Sequence, residues 1–168
     1  MAGYKGHLAG GWVVFAAYMF GMALLLAGGD TASALEVRGW STEMAAYVGV
    51  MLVVATLFSL WPDVDTDSKG QRLFYTVFFI VDVWLLLEGE YKAAAYLGLF
   101  AILPGMHRHR GWTHTWWAML LIPLPIALIP YWRMEPSWIG IPVYGAAVSG
   151  YLSHLVIDGT LIPKRKWS

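Results

Sequence analysis

WIGIPVYGAAVSGYLSHLVID, residues 138–158, is the stretch whose reading organises the rest of the chain. From Trp138 to Ile157 it holds no Asp, Glu, Lys or Arg. An α-helix needs about 20 mostly apolar residues to cross a hydrocarbon core roughly 30 Å thick. The stretch closes on His154 and Asp158, which lie four apart and so project from one helix face as neighbours. An imidazole and a carboxylate at that spacing can share a metal ion or bridge two. The plainer alternative is a neutral histidine hydrogen-bonded to Asp158 at a helix end. Unpaired ionisable groups at a membrane are costly and usually functional, which favours metal.

Working outward, five more stretches resemble this one: Leu8–Ala27, Met44–Leu60, Leu73–Leu87, Ala93–Met106 and Thr115–Trp132. The third and fourth are short and joined by the acidic turn Glu88 to Lys92. They are read as two crossings, with a re-entrant pair as the alternative. Pro123, Pro125 and Pro130 should kink the fifth, with neighbouring helices covering the freed backbone groups. The expected fold is therefore an all-α, polytopic membrane bundle of about six helices, one domain over residues 1–168. Composition agrees: 58% of the 168 residues are hydrophobic and 13% charged, against about 25% charged in soluble domains. Ten Trp and nine Tyr suit the headgroup level of a bilayer. A net charge of zero offers no basic field for nucleic acid. The absence of cysteine excludes disulfides and thiolate metal sites. No cleavable leader is recognisable ahead of the first apolar stretch, so the N-terminus reads as mature.

Six crossings place both termini on one side. Loops on that side carry Lys5, Lys69, Arg72, Arg108, Arg110, Lys164, Arg165 and Lys166, against only Arg38, Lys92 and Arg133 opposite. The positive-inside rule then puts the termini in the cytoplasm. All five histidines, with Asp63, Asp65, Asp67 and Asp158, fall at the same face. Polar groups scattered at random would be split between the two.

Four segments meet there. Gly6-His7 opens the first span. Trp61-Pro62-Asp63-Val64-Asp65-Thr66-Asp67 leaves the second. In extended backbone, Asp63 and Asp65 would point to one side, and carboxylates so close repel unless a cation lies between them. The bland alternative is a turn, since Pro and Asp are ordinary turn residues. Asp67 reads as a cap for the next helix. The third segment, His107 to His114, holds three histidines in eight residues, of which His109 and His114 are the favoured ligands. Arg110 could hold an anionic phosphate through its planar fork, or simply contact headgroups. His154 and Asp158 form the fourth. Mixed His and Asp ligands without Cys point to a catalytic zinc site rather than a structural one, with manganese also compatible. Asp82, alone inside the third span, is read as structural.

The combination Gly-His, Pro-Asp-x-Asp, His-Arg-Gly-x-Thr-His and His-x-x-x-Asp resembles the YdjM-like inner-membrane, metal-dependent hydrolase family. The resemblance runs nearly end to end, from His7 to Asp158. It implies a prokaryotic inner-membrane location and hydrolytic activity. The order of ligands is also similar to that of zinc-dependent phospholipases C and single-strand nucleases, which are soluble and helical. That similarity implies His7, Asp63, His109 or His114, His154 and Asp158 as ligands of two or three ions.

The expected activity is metal-assisted hydrolysis of a phosphoester, on a lipid or lipid-linked phosphate at the cytoplasmic leaflet. Asp63 or Asp65 would bridge metals or act as general base. Arg110 would neutralise phosphate charge, with Lys69 or Arg72 behind it, and Thr113 would donate a hydrogen bond. Two rivals stand beside it. A metal or proton transporter would use the same groups as way stations, and should carry ionisable residues through the midplane. A non-catalytic scaffold would close its metal site completely.

Overall fold

The computed structural model describes residues 3–30, 41–64, 68–103, 112–132 and 140–160. Seven α-helices run through them: α1 (Tyr4–Leu26), α2 (Thr42–Leu60), α3 (Lys69–Leu87), α4 (Tyr91–Ile102), α5 (Trp116–Leu121), α6 (Leu124–Trp132) and α7 (Gly140–Ile157). Short 3-10 turns at Trp61–Asp63 and Trp112–His114 follow α2 and precede α5. No strand occurs among the described residues. The protein is an all-α bundle.

Four segments are long and apolar enough to cross a membrane: Tyr4–Leu26, Thr42–Asp63, Lys69–Leu87 and Gly140–Ile157. Two shorter apolar segments, Tyr91–Ile102 and Trp116–Leu128, make up the six that the sequence suggests. The third helix is longer than the apolar run alone, because Ser68 caps it and Lys69 to Arg72 form its first turn. The Ser68 hydroxyl accepts from the Gln71 amide at 3.0 Å. The capping role expected of Asp67 therefore falls to Ser68, one residue on. At about 1.5 Å rise per residue, the 12 residues of α4 cover only about 18 Å. Gly89, at φ 80°, makes the tight reversal from α3 into α4. The expected break in the fifth stretch falls at Ile122 and Pro123, which separate α5 from α6.

The inside of the bundle is built on small residues. A Cβ on Gly150 of α7 would run into the backbone carbonyl of Ala55 on α2, and one on Gly11 of α1 would lie 2.8 Å from Ser59 Cβ. Close backbone approach of this kind is how helices associate without a hydrophobic drive in lipid. Toward the end of the bundle where α2 stops, packing passes to aromatic rings. Trp61 is fully buried and stacks on Phe100 at 5.5 Å, with Trp112 against its edge at 5.8 Å and Tyr151 at 5.7 Å. Large apolar side chains such as Leu26, Phe79, Ile80 and Leu99 cover the outside, the arrangement a hydrocarbon surround favours.

Candidate metal centre

The donors reach the site from the ends of four elements. His7 lies in the first turn and a half of α1, on the same inward stripe as Gly11 and Phe15. Asp63 ends the 3-10 turn that stops α2. Pro62 supplies a preset φ for that turn, and Val64 continues it at φ −67° and ψ −16°. The backbone at Asp63 and Val64 is thus curled, the turn that the sequence offered beside an extended Asp63–Asp65, and Asp65 itself lies outside the described residues. The reason is local: Pro62 favours the turn, and fully buried Val64 anchors it in the core. Gln71 holds the far side by donating from Nε2 to the Val64 carbonyl at 2.9 Å. His114 closes the second 3-10 turn. His154 sits in the last turn of α7, and Asp158 follows directly, its amide still bonded to the His154 carbonyl at 3.0 Å. Gly159, at φ 64°, then ends the helix, and the Thr160 amide returns to the Leu155 carbonyl at 3.0 Å.

These five side chains converge. His7 Nε2 lies 3.8 Å from Asp63 Oδ2 and 3.5 Å from Asp158 Oδ1. His114 Nε2 lies 3.2 Å from Asp63 Oδ1 and 3.8 Å from Asp158 Oδ2. His154 Nε2 is 3.7 Å from an oxygen of each carboxylate and 3.4 Å from His114 Nε2. The rings of His7 and His154 stack at 4.1 Å. His7, Asp63, His154 and Asp158 each offer a donor atom within 4.8 Å of all the others.

Two features of the donors fit a cation. Donors bound to one ion at about 2.0–2.2 Å lie roughly 2.9–3.6 Å apart, close to the spacings found. Both oxygens of Asp158 and both ring nitrogens of His7 are buried without a hydrogen-bond partner. Orphaned buried polar atoms are costly, and a cation shared by His7 Nε2 and the Asp158 carboxylate relieves those on the inner side of the site. The outer contacts agree. His154 Nδ1 faces the Ser59 carbonyl at 2.8 Å. A carbonyl only accepts, so Nδ1 carries the proton and Nε2 turns its lone pair to the centre, the arrangement usual for a metal-bound histidine. His7, Asp63, His154 and Asp158 lie close enough together to share an ion, and His114 Nε2 lies beside them, 3.4 Å from His154 Nε2. Asp65 and His109, from which further ions could draw ligands, lie outside the described residues, as does Arg110.

Exposure separates the carboxylates. The Asp63 side chain is 29% exposed and that of Asp158 only 1%, so the centre opens on the Asp63 side. Thr113 is buried, and its hydroxyl is engaged by His114 Nδ1 and the Pro62 carbonyl. Three supporting groups escaped the sequence reading: the Ser59 and Pro62 carbonyls, and Tyr151, whose hydroxyl donates to the Thr113 carbonyl. Ser59 falls among the last four residues of α2, whose carbonyls lack helical partners, the one available hint. Asp82 sits in α3 as expected, with Oδ1 buried and unpartnered.

A family model described as YdjM inner membrane protein matches residues 1–161, a span that includes all five donors. The chain belongs to the YdjM family. Neither the curated proteins nor the solved structures contain a match to it. Family membership and the apolar helices together make this an integral membrane protein of the YdjM type. The His and Asp residues gathered at one end of its bundle are able to hold a metal ion.

Proposed function

We propose that this YdjM-family protein is a membrane-embedded, metal-dependent hydrolase that cleaves a phosphoester on a lipid or lipid-linked phosphate at the cytoplasmic leaflet. One observation carries the reading: His7, Asp63, His154 and Asp158 each offer a donor atom within 4.8 Å of the others, with His114 Nε2 beside them and Asp63 the more exposed of the two carboxylates. The lysines and arginines counted on the terminal side of the sequence support a cytoplasmic location. Zinc is the favoured ion, with manganese second, because the donors are His and Asp without Cys.

His7, His154 and Asp158 would hold the ion, with His114 beside them and Asp63, the more exposed carboxylate, at the edge of the donor group. The ion supplies Lewis acidity and lowers the pKa of a bound water. Asp63, the donor that solvent reaches, takes the proton from the attacking water. Arg110, with Asp65 as a further ligand or base, completes the charge pattern by neutralising the phosphoryl oxygens. The proton passes to the leaving oxygen, and the products are an alcohol and a phosphate ester or phosphate. A donor set at the end of the bundle lets a lipid keep its tails in the bilayer while its head reaches the centre.

The test is a phosphodiester and phosphomonoester screen on detergent-purified protein, with His154→Ala and Asp63→Ala in parallel. Turnover by wild type that both folded variants lose supports the reading. Folded variants that hydrolyse as fast as wild type overturn it.

A further inference from the structure

Thr113 and His114 present an arrangement that ligation alone does not call for. Both are buried. The Thr113 hydroxyl lies 3.1 Å from His114 Nδ1 and 3.4 Å from the Pro62 carbonyl, while His114 Nε2 lies 3.2 Å from Asp63 Oδ1. A hydroxyl has one proton and can rotate it, and a neutral imidazole carries its proton on one nitrogen only. Two hydrogen-bond patterns are therefore self-consistent. In one, Thr113 donates to His114 Nδ1, and Nε2–H donates to Asp63. In the other, Thr113 donates to the Pro62 carbonyl and accepts from Nδ1–H, which leaves the Nε2 lone pair facing the carboxylates.

We infer that Thr113 is a positioning residue whose hydroxyl, by turning between His114 Nδ1 and the Pro62 carbonyl, switches His114 between a form bonded to Asp63 and a form able to bind a cation. The inference rests on the metal reading above and adds the device that loads the site. Pro62 is part of it: its carbonyl takes the Thr113 proton in the loaded form, and Pro62 leads directly into Asp63. Tyr151 holds the same strand of chain by donating to the Thr113 carbonyl, so the hydroxyl turns while the backbone stays in place. Valine has the shape of threonine but neither donor nor acceptor, and serine keeps the hydroxyl.

The experiment is a Zn²⁺ titration in competition with a chelator, on the full chain in detergent or nanodiscs, for wild type, Thr113→Val and Thr113→Ser. It is combined with ¹⁵N spectra of labelled histidine with and without Zn²⁺. The expected result is a loss of about 10–100-fold in Zn²⁺ affinity for Thr113→Val, the usual cost of removing a ligand's outer partner, and recovery in Thr113→Ser. The metal-free Val variant should stay folded but melt below wild type, since His114 Nδ1 and the Pro62 carbonyl lose a partner; the position of the His114 proton is the readout that a merely structural threonine would not move. In wild type the His114 proton should move from Nε2 to Nδ1 on loading. Wild type that binds Zn²⁺ while Thr113→Val binds it equally well overturns this inference and leaves the metal reading standing. So does a loaded wild type with no proton on His114 Nδ1, a result that holds even if the variant misfolds. Wild type that binds no Zn²⁺ overturns both.

Discussion

Both oxygens of Asp158 are buried without a hydrogen-bond partner, whereas Asp63 meets solvent, and this contrast divides the work between the two carboxylates. Asp158→Asn should therefore act on binding, weakening Zn²⁺ by more than the roughly 10–100-fold that loss of an outer partner costs. Asp63→Asn should keep most of the ion and lose roughly 10²–10⁴-fold in turnover, the range of general-base catalysis. Chelator competition and initial rates on one phosphodiester separate the two effects, and equal behaviour of the variants would remove the division. Protons compete with metal for the three imidazole nitrogens. Ion retention should hold at neutral pH and fall toward acid, because an imidazole nitrogen must be free of its proton to bind. Equilibrium dialysis from pH 8 to 5 checks the sign: retention that rises toward acid would contradict histidine ligation. Tyr151→Phe should cost about 1–3 kcal/mol of stability, because it leaves the buried Thr113 carbonyl without a donor; thermal unfolding measures it. The donor side chains were legible from sequence because each belongs to a motif at the same membrane face. The Ser59 and Pro62 carbonyls were not, since a backbone acceptor has no residue-type signature.

At the scale of elements, the site depends on how close α7 comes to α1 and α2. Gly150 allows the approach to Ala55, and Gly11 the approach to Ser59, whose carbonyl holds His154. Gly150→Ala should force α2 and α7 apart, since backbone cannot shift aside as a side chain can. The expected cost is about 1–3 kcal/mol, with a drop in ion affinity because Ser59 and His154 sit on the two separated helices. Unfolding in mixed micelles with and without Zn²⁺ reads both, and an Ala variant with wild-type stability would contradict the close crossing. An interruption of the fifth stretch was legible from its three prolines, though not that it falls at Pro123 while Pro125 and Pro130 lie within α6, and the apolar length of α1, α2 and α7 was legible too. The curl at Asp63–Val64 was legible only as the turn that Pro62 and Asp63 allow beside an extended backbone, because the choice depends on Val64 finding a place in the aromatic core. The start of α3 was missed by four residues for a related reason. Hydropathy marks only the apolar run, while the Ser68 cap admits the polar turn ahead of it.

At the scale of the whole molecule, the start of α1 and the ends of α2 and α7 bring His7, Asp63, His154 and Asp158 to one end of the bundle, the turn before α5 adds His114, and the Glu88 to Glu90 turn joins α3 to α4. The chain has no cysteine of its own, so single replacements report sidedness cleanly. In intact cells, Glu90→Cys should react with a membrane-impermeant maleimide, and Lys69→Cys should react only after permeabilisation. The reverse pattern would move the centre to the outer leaflet. The most direct test of the central claim is bound metal per chain, by elemental analysis of detergent-purified protein beside a His154→Ala/Asp158→Ala variant. At least one equivalent of zinc or manganese in wild type, and almost none in the variant, is the result expected of a centre built on His154 and Asp158. No metal in wild type after incubation with Zn²⁺ and Mn²⁺, or equal metal in the variant, would contradict a metal centre built from these residues.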